Sequence, residues 1–361
     1  MNEQSVTSRT LYFDILNIAA TICVVWLHFN NEIHWYAPTL AWKQSVFVQA
    51  LAYWAVPIFF MLSGATLMEY KKKYNTRTFL KRRFTRVFVP FMFWGMVFLL
   101  WRISRGDIET FPNGLWNQLW YVINSYVNNG MEPIYWFFAP LFGIYLSIPA
   151  MSFLTEDKNR NTLTYLLIVG VIFRTVIPFF YNLCSTVFSL NIGWNMSWEP
   201  AILGGYILYP LAGYWCKKTK FTCIWKNVIY INGLAMLLFR GVGIFYLCTR
   251  DGAKNPVFFD YLSYPSFSLA LAVFVFAKEY NWDNIFKSEY SHKIIQKISS
   301  CSFGVYLIHL ILLINMQDIS FFKYDAHIST WHFLMPIICY SICVGIVFFV
   351  KRVPIIKHLF P

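Results

Sequence analysis

Apolar runs broken by short charged or turn-forming stretches recur along the whole chain. About 20 apolar residues suffice for a helix to cross a bilayer. Ten such runs stand out, near residues 11–29, 47–68, 87–103, 134–154, 163–180, 200–216, 227–247, 257–277, 298–316 and 332–350. They predict an all-α fold, a polytopic membrane bundle of about ten transmembrane helices forming one domain over residues 11–350. Residues 1–10 and 351–361 are left as short tails. The longest gap, 104–133, holds a piece from Leu115 to Val127 with Trp116 and Trp120 one turn apart, which is expected to lie in the membrane interface. The first apolar run is too long for the hydrophobic part of a signal peptide and lacks a clear small-residue cleavage site.

Composition sharpens this picture. Of 361 residues, 58% are hydrophobic and only 13% charged, against about 25% charged in soluble domains. That excludes a cytosolic enzyme, a disordered chain and a nucleic-acid-binding module. The net charge of +13 follows topology instead. With the N-terminus inside, 22 of the 30 Lys and Arg residues fall on inner segments and 6 on outer ones, with Arg174 and Arg240 left inside spans. For an even number of spans, this bias puts both termini in the cytoplasm. Eight scattered cysteines without a CxxC pair read as small buried hydrophobes, not as a disulfide framework or a metal site.

An ionisable group inside a span costs roughly 2.5–3.5 kcal/mol on insertion scales, so each one asks for a reason. At 100° per residue, Asp14, Asn17, Thr21 and His28 fall within an arc of about 60° on the first helix. The stripe must look into the bundle, with His28 towards its outer end. A helix–helix hydrogen-bond seam would explain it. So would a proton shuttle, for which imidazole is best suited near neutral pH. The ninth run repeats the pattern in Ser302, Tyr306 and His309, where mutual structural satisfaction is an equal reading.

Lys71 to Arg86 is the most basic stretch. Arg82, Arg83 and Arg86 cluster at helical spacing just before the third run, where guanidinium forks suit an anionic lipid head group or a phosphorylated ligand. Asp14, Glu199 and Asp260 are the acids open to Arg174 and Arg240, and spacing alone does not choose among them. Trp194 and Trp198 flank Glu199 closely enough to suit a sugar, although an interfacial aromatic belt is the commoner meaning.

Six motifs, in order, carry a resemblance. They are Asp14-Ile-Leu-Asn17 through His28; Pro57-Ile-Phe-Phe-Met-Leu-Ser63-Gly64; Arg83-Phe-Thr-Arg86 with Pro90; Tyr135-Trp136-Phe137-Phe138 through Pro149; Gly204 through Tyr214; and Ser299 through His309. Together they resemble acyltransferase family 3, closest to the short single-domain glycan O-acetyltransferases. Two positions depart from the pattern of many members: Asn17 stands where they have Arg, and no acid follows the Trp-Phe motif.

The resemblance implies a ten-helix O-acyltransferase of the plasma membrane. It would move an acyl group, often acetyl from cytoplasmic acetyl-CoA, to a hydroxyl of a surface glycan or its lipid-linked precursor. It implies that His28 is catalytic and that Arg83 and Arg86, with Arg82 beside them, meet the donor. Asp14, Asn17, Ser63, Tyr306 and His309 would support the chemistry, and Trp136, Trp198 and Glu199 would meet the acceptor. No permanently bound cofactor and no metal is expected, and membrane lipids are the other partner. An exporter of a polysaccharide or lipid-linked intermediate, needing no acyl-CoA, is the alternative.

Overall fold

A computed structural model describes residues 11–108, 112–128, 130–190, 192–319, 328–354 and 356–360. The expected tail at 1–10 lies outside the described residues. Among those described there are helices and turns but no strand. In chain order the α-helices are α1 Leu11–His28, α2 Leu40–Ala52, α3 Ala55–Leu67, α4 Thr76–Arg83, α5 Val89–Arg105 and α6 Leu115–Val127. Then come α7 Phe138–Met151, α8 Arg160–Gly170, α9 Ile177–Val187, α10 Leu208–Lys218 and α11 Cys223–Asp251. The last are α12 Tyr264–Glu279, α13 Glu289–Asp318, α14 Ile328–Phe333 and α15 Met335–Val350. Single π-turns, Phe84–Phe88 and Val171–Val176, join α4 to α5 and α8 to α9. One carries Arg86 and the other Arg174.

Every predicted run contains a helix, but the count of ten spans is not confirmed. Seven continuous helical stretches among the described residues are long and apolar enough to cross a membrane. The runs at 200–216, 257–277 and 332–350 instead hold helices of 11, 16 and 16 residues. Sixteen residues rise about 24 Å, short of a hydrocarbon core of about 30 Å. Local chemistry breaks each one. Gly205 turns with φ +61° ahead of α10, and prolines stand at the first turns of α12 and α15, where a missing N–H is harmless. α6 shows the expected one-sided apolar face: Trp116 and Trp120 are exposed at helical spacing, and Ser125 is its one buried residue.

Two glycines set the tightest crossing, between α3 and α10. A Cβ on Gly64 would lie 1.9 Å from the Pro210 carbonyl oxygen, and one on Gly213 would lie 2.0 Å from that of Met61. The two backbones therefore touch, the arrangement that small residues permit between membrane helices. At one end of the same pair, the Glu69 carboxylate takes Lys72, Lys217 and Lys218 at 2.6, 2.8 and 2.8 Å. Part of the basic stretch is thus neutralised inside the fold.

Candidate functional site

The polar stripe of α1 faces α13. Asn17 donates from Nδ2 to the Ser299 carbonyl at 2.9 Å and to its hydroxyl at 3.0 Å. Thr21 returns its hydroxyl to the Asn17 carbonyl at 2.7 Å, and Asp14 is buried on the same helix. At the far end, His28 Nδ1 lies 2.7 Å from His309 Nε2, with the rings stacked at 4.8 Å. The turn after α1 is held in place by Glu32, whose carboxylate meets the buried His332 at 2.7 Å.

His309 Nδ1 sits 2.9 Å from the Tyr306 carbonyl and 3.1 Å from that of Val305. Two acceptors facing one ring nitrogen place the proton there. In the neutral pair His309 Nε2 then accepts, His28 Nδ1 donates, and His28 Nε2 is left with its lone pair. This is the orientation a general base needs, set by a buried partner on another helix.

The His28 ring borders two cavities. One, of about 350 Å³, runs from His28 to the Asn17 end of α1, walled by Trp136, Tyr261, Ser302 and Tyr306, with Ser300 and Lys351 towards its mouth. Trp136 stacks on Tyr261 at 5.4 Å, and Tyr261 on Tyr53 at 4.0 Å, making one aromatic wall. Tyr306 donates to the Ile134 carbonyl at 2.5 Å. Ser302 is buried, its hydroxyl without a hydrogen-bond partner among the described residues. The other cavity, of about 520 Å³, opens at the opposite end of α1 beside Arg102, Asp107 and Glu132.

The other expected site residues lie elsewhere. None of Arg82, Arg83 and Arg86 lines either cavity. Arg82 and Arg86 are exposed, Arg82 stacking over Tyr74 at 4.6 Å. Arg83 lies half-buried over Phe79 and Tyr145. Ser63 bonds the Phe59 carbonyl within its own helix at 3.0 Å. Glu199 is the partner of Arg174, at 2.5 Å. Trp198 is exposed. Arg240 has a different solution: its guanidinium lies over Tyr53 at 4.4 Å and donates to the Ser263 hydroxyl at 3.1 Å and to that of Ser266.

Sequence reasoning passed over Tyr261, Lys351, Arg102 and Glu132. Tyr261 and Lys351 carried no signal beyond a loop aromatic and a topological cation. Glu132 is an acid within three residues of Tyr135-Trp136, which is the clue that could have found it. No group of three or more metal-ligating side chains occurs among the described residues.

Several apolar spans around a histidine pair bordered by two cavities define a multi-pass membrane protein with a site inside its bundle. Residues 10–350 match the acyltransferase domain of acyltransferase family 3, and the chain belongs to that family. It is a membrane acyltransferase. No curated protein and no solved structure matches it.

Proposed function

We propose that the protein is an integral membrane O-acyltransferase that moves an acyl group, most simply acetyl, from cytoplasmic acyl-CoA to a hydroxyl of a cell-surface glycan or its lipid-linked precursor. The observation that carries this reading is the position of one imidazole against two cavities that open towards opposite ends of α1. The lysines and arginines clustered at 71–86 favour the Asn17 end of α1 in the cytoplasm, and the plasma membrane is the placement the resemblance implies.

The donor would enter at that end. Lys351, which lines that cavity, would meet its pyrophosphate, and the exposed Arg82 and Arg86, which do not line it, would meet its nucleotide phosphate. The pantetheine arm lies along the apolar wall, bringing the thioester to Ser302 and His28. As the acceptor hydroxyl attacks the thioester carbonyl, its proton passes to His28 Nε2. The C–S bond then breaks, and the thiolate regains that proton as a thiol. Charged CoA never crosses the membrane.

The test uses purified full-length protein in lipid nanodiscs with labelled acetyl-CoA and delipidated surface glycan. An alkali-labile acetyl ester should form with the native chain and not with His28→Ala. Formation of the ester by a correctly inserted His28→Ala protein overturns the proposal. Movement of the glycan without any change in its mass favours export instead.

A further inference from the structure

The cavity beside Glu132 has no part in holding the donor. Its lining is richer in polar side chains than that of the donor cavity. Trp101 and Arg102 come from the end of α5, Asp107 and Glu132 from the segments on either side of α6, and Gln317 from the end of α13. Arg105 clamps α5 to α13 there, meeting Asp318 at 2.7 Å. Glu132 is only 6% exposed although it carries a carboxylate. The Arg102 guanidinium makes no ion pair with it or with any other described residue. Two strong hydrogen-bonding groups of opposite polarity therefore face one space beside an indole.

We propose that this vestibule is the acceptor subsite, that it takes an uncharged polyhydroxylated ring, and that it delivers one hydroxyl to His28 Nε2 from the side opposite the thioester. Resting on the acyl-transfer reading above, the inference adds where the acceptor binds and of what charge it is. The volume falls within the usual 300–1,000 Å³ of ligand sites. Arg102 donates to ring hydroxyls and Glu132 accepts from them, while Trp101 offers an apolar face. Asp107 is paired with Arg105 at 3.6 Å and Glu132 faces Arg102, so the vestibule offers no net positive charge to a sulfated, phosphorylated or uronic sugar. Trp198 and Glu199 take no part in the subsite: neither lines it, and Glu199 is committed to Arg174.

The experiment adds a cysteine at the rim, Gln317→Cys, to the full-length protein carrying Cys184→Ser and Cys223→Ser in place of its exposed native cysteines, within intact cells. Cells are treated from outside with a membrane-impermeant sulfonated maleimide, and surface acetyl ester and the labelled fraction are both measured. Labelling at this position is expected to remove at least nine-tenths of new ester. Glucose at millimolar concentration is expected to slow the labelling several-fold, and glucuronate is not. Glu132→Gln combined with Arg102→Gln should abolish the protection by glucose. Complete labelling with undiminished ester formation overturns the inference, as does labelling that needs permeabilised cells. Protection by glucuronate equal to that by glucose overturns the assignment of charge. An absence of ester in untreated cells bearing the native chain sinks the acyl-transfer reading itself, so the two failures are told apart.

Discussion

The imidazoles of His28 and His309 share a 2.7 Å hydrogen bond across the α1–α13 interface, although 281 residues separate them in the chain. His309 is completely buried, and backbone carbonyls fix its other nitrogen. The pair has the logic of a base held in one tautomer by a neighbour.

Replacing His309 by Leu should lower acyl transfer by about 10²–10⁴-fold, the usual range for a disturbed general base. His309→Gln restores an amide oxygen able to accept from His28 Nδ1 and should recover a good part of that loss. Comparing the pH profiles of kcat/KM for the two variants separates positioning from packing, since only positioning alters the shape of the profile. Equal defects with an unchanged profile would reduce His309 to a packing residue.

Lys351→Ala should raise the KM for acyl-CoA several-fold with little change in kcat, because a charge at the cavity mouth binds donor and transition state alike. Arg82→Ala combined with Arg86→Ala should act in the same direction. Initial rates at varied acyl-CoA concentration decide this; a pure kcat effect would place these cations outside donor binding.

Glu132 carries a pH signature. Burial pushes its carboxyl up to about 7, partly opposed by Arg102. A folded pKa above the unfolded one means that folding favours the protonated form. Its contribution to stability is complete below the ordinary carboxylate range, near 4.3, and is lost as pH rises through about 7. Glu132→Gln should therefore flatten the fall in Tm between pH 5 and pH 8. Parallel Tm curves for the two proteins would refute that assignment.

The α3–α10 crossing has no room for a methyl group. Gly64→Ala and Gly213→Ala drive a Cβ into backbone, not into a movable side chain, and should each cost about 1–3 kcal/mol. Thermal unfolding in detergent measures this. Gly143, with open space at its Cβ, is the control and should tolerate Ala without loss of fold.

Arg174 and Glu199 form a largely buried ion pair. Glu199→Ala leaves a guanidinium without its partner and should cost about 3–5 kcal/mol, whereas Arg174→Met with Glu199→Gln should cost clearly less. A double-mutant cycle on Tm reads the coupling. If Glu199→Ala unfolds no more easily than the double variant, the pair contributes no such coupling.

Much was legible in the chain itself. Periodicity alone gathers Asp14, Asn17, Thr21 and His28 on one helix face, because side-chain direction repeats every 3.6 residues whatever lies opposite. Apolar run length finds most helices but not α4, and ten full spans are not confirmed, since Gly205 and the prolines of α12 and α15 shorten helices that hydropathy sees as continuous. Motif order along 10–350 reaches the family. Partners were another matter. That His28 meets His309, that Arg174 takes Glu199 while Arg240 takes an aromatic ring and two serines, and that Lys351 and not Arg83 stands at the cavity mouth depend on which helix faces packed together. Local geometry is written in neighbouring residues, but cavities and buried pairs are made by segments hundreds of positions apart, and only their packing in three dimensions selects among chemically equivalent partners.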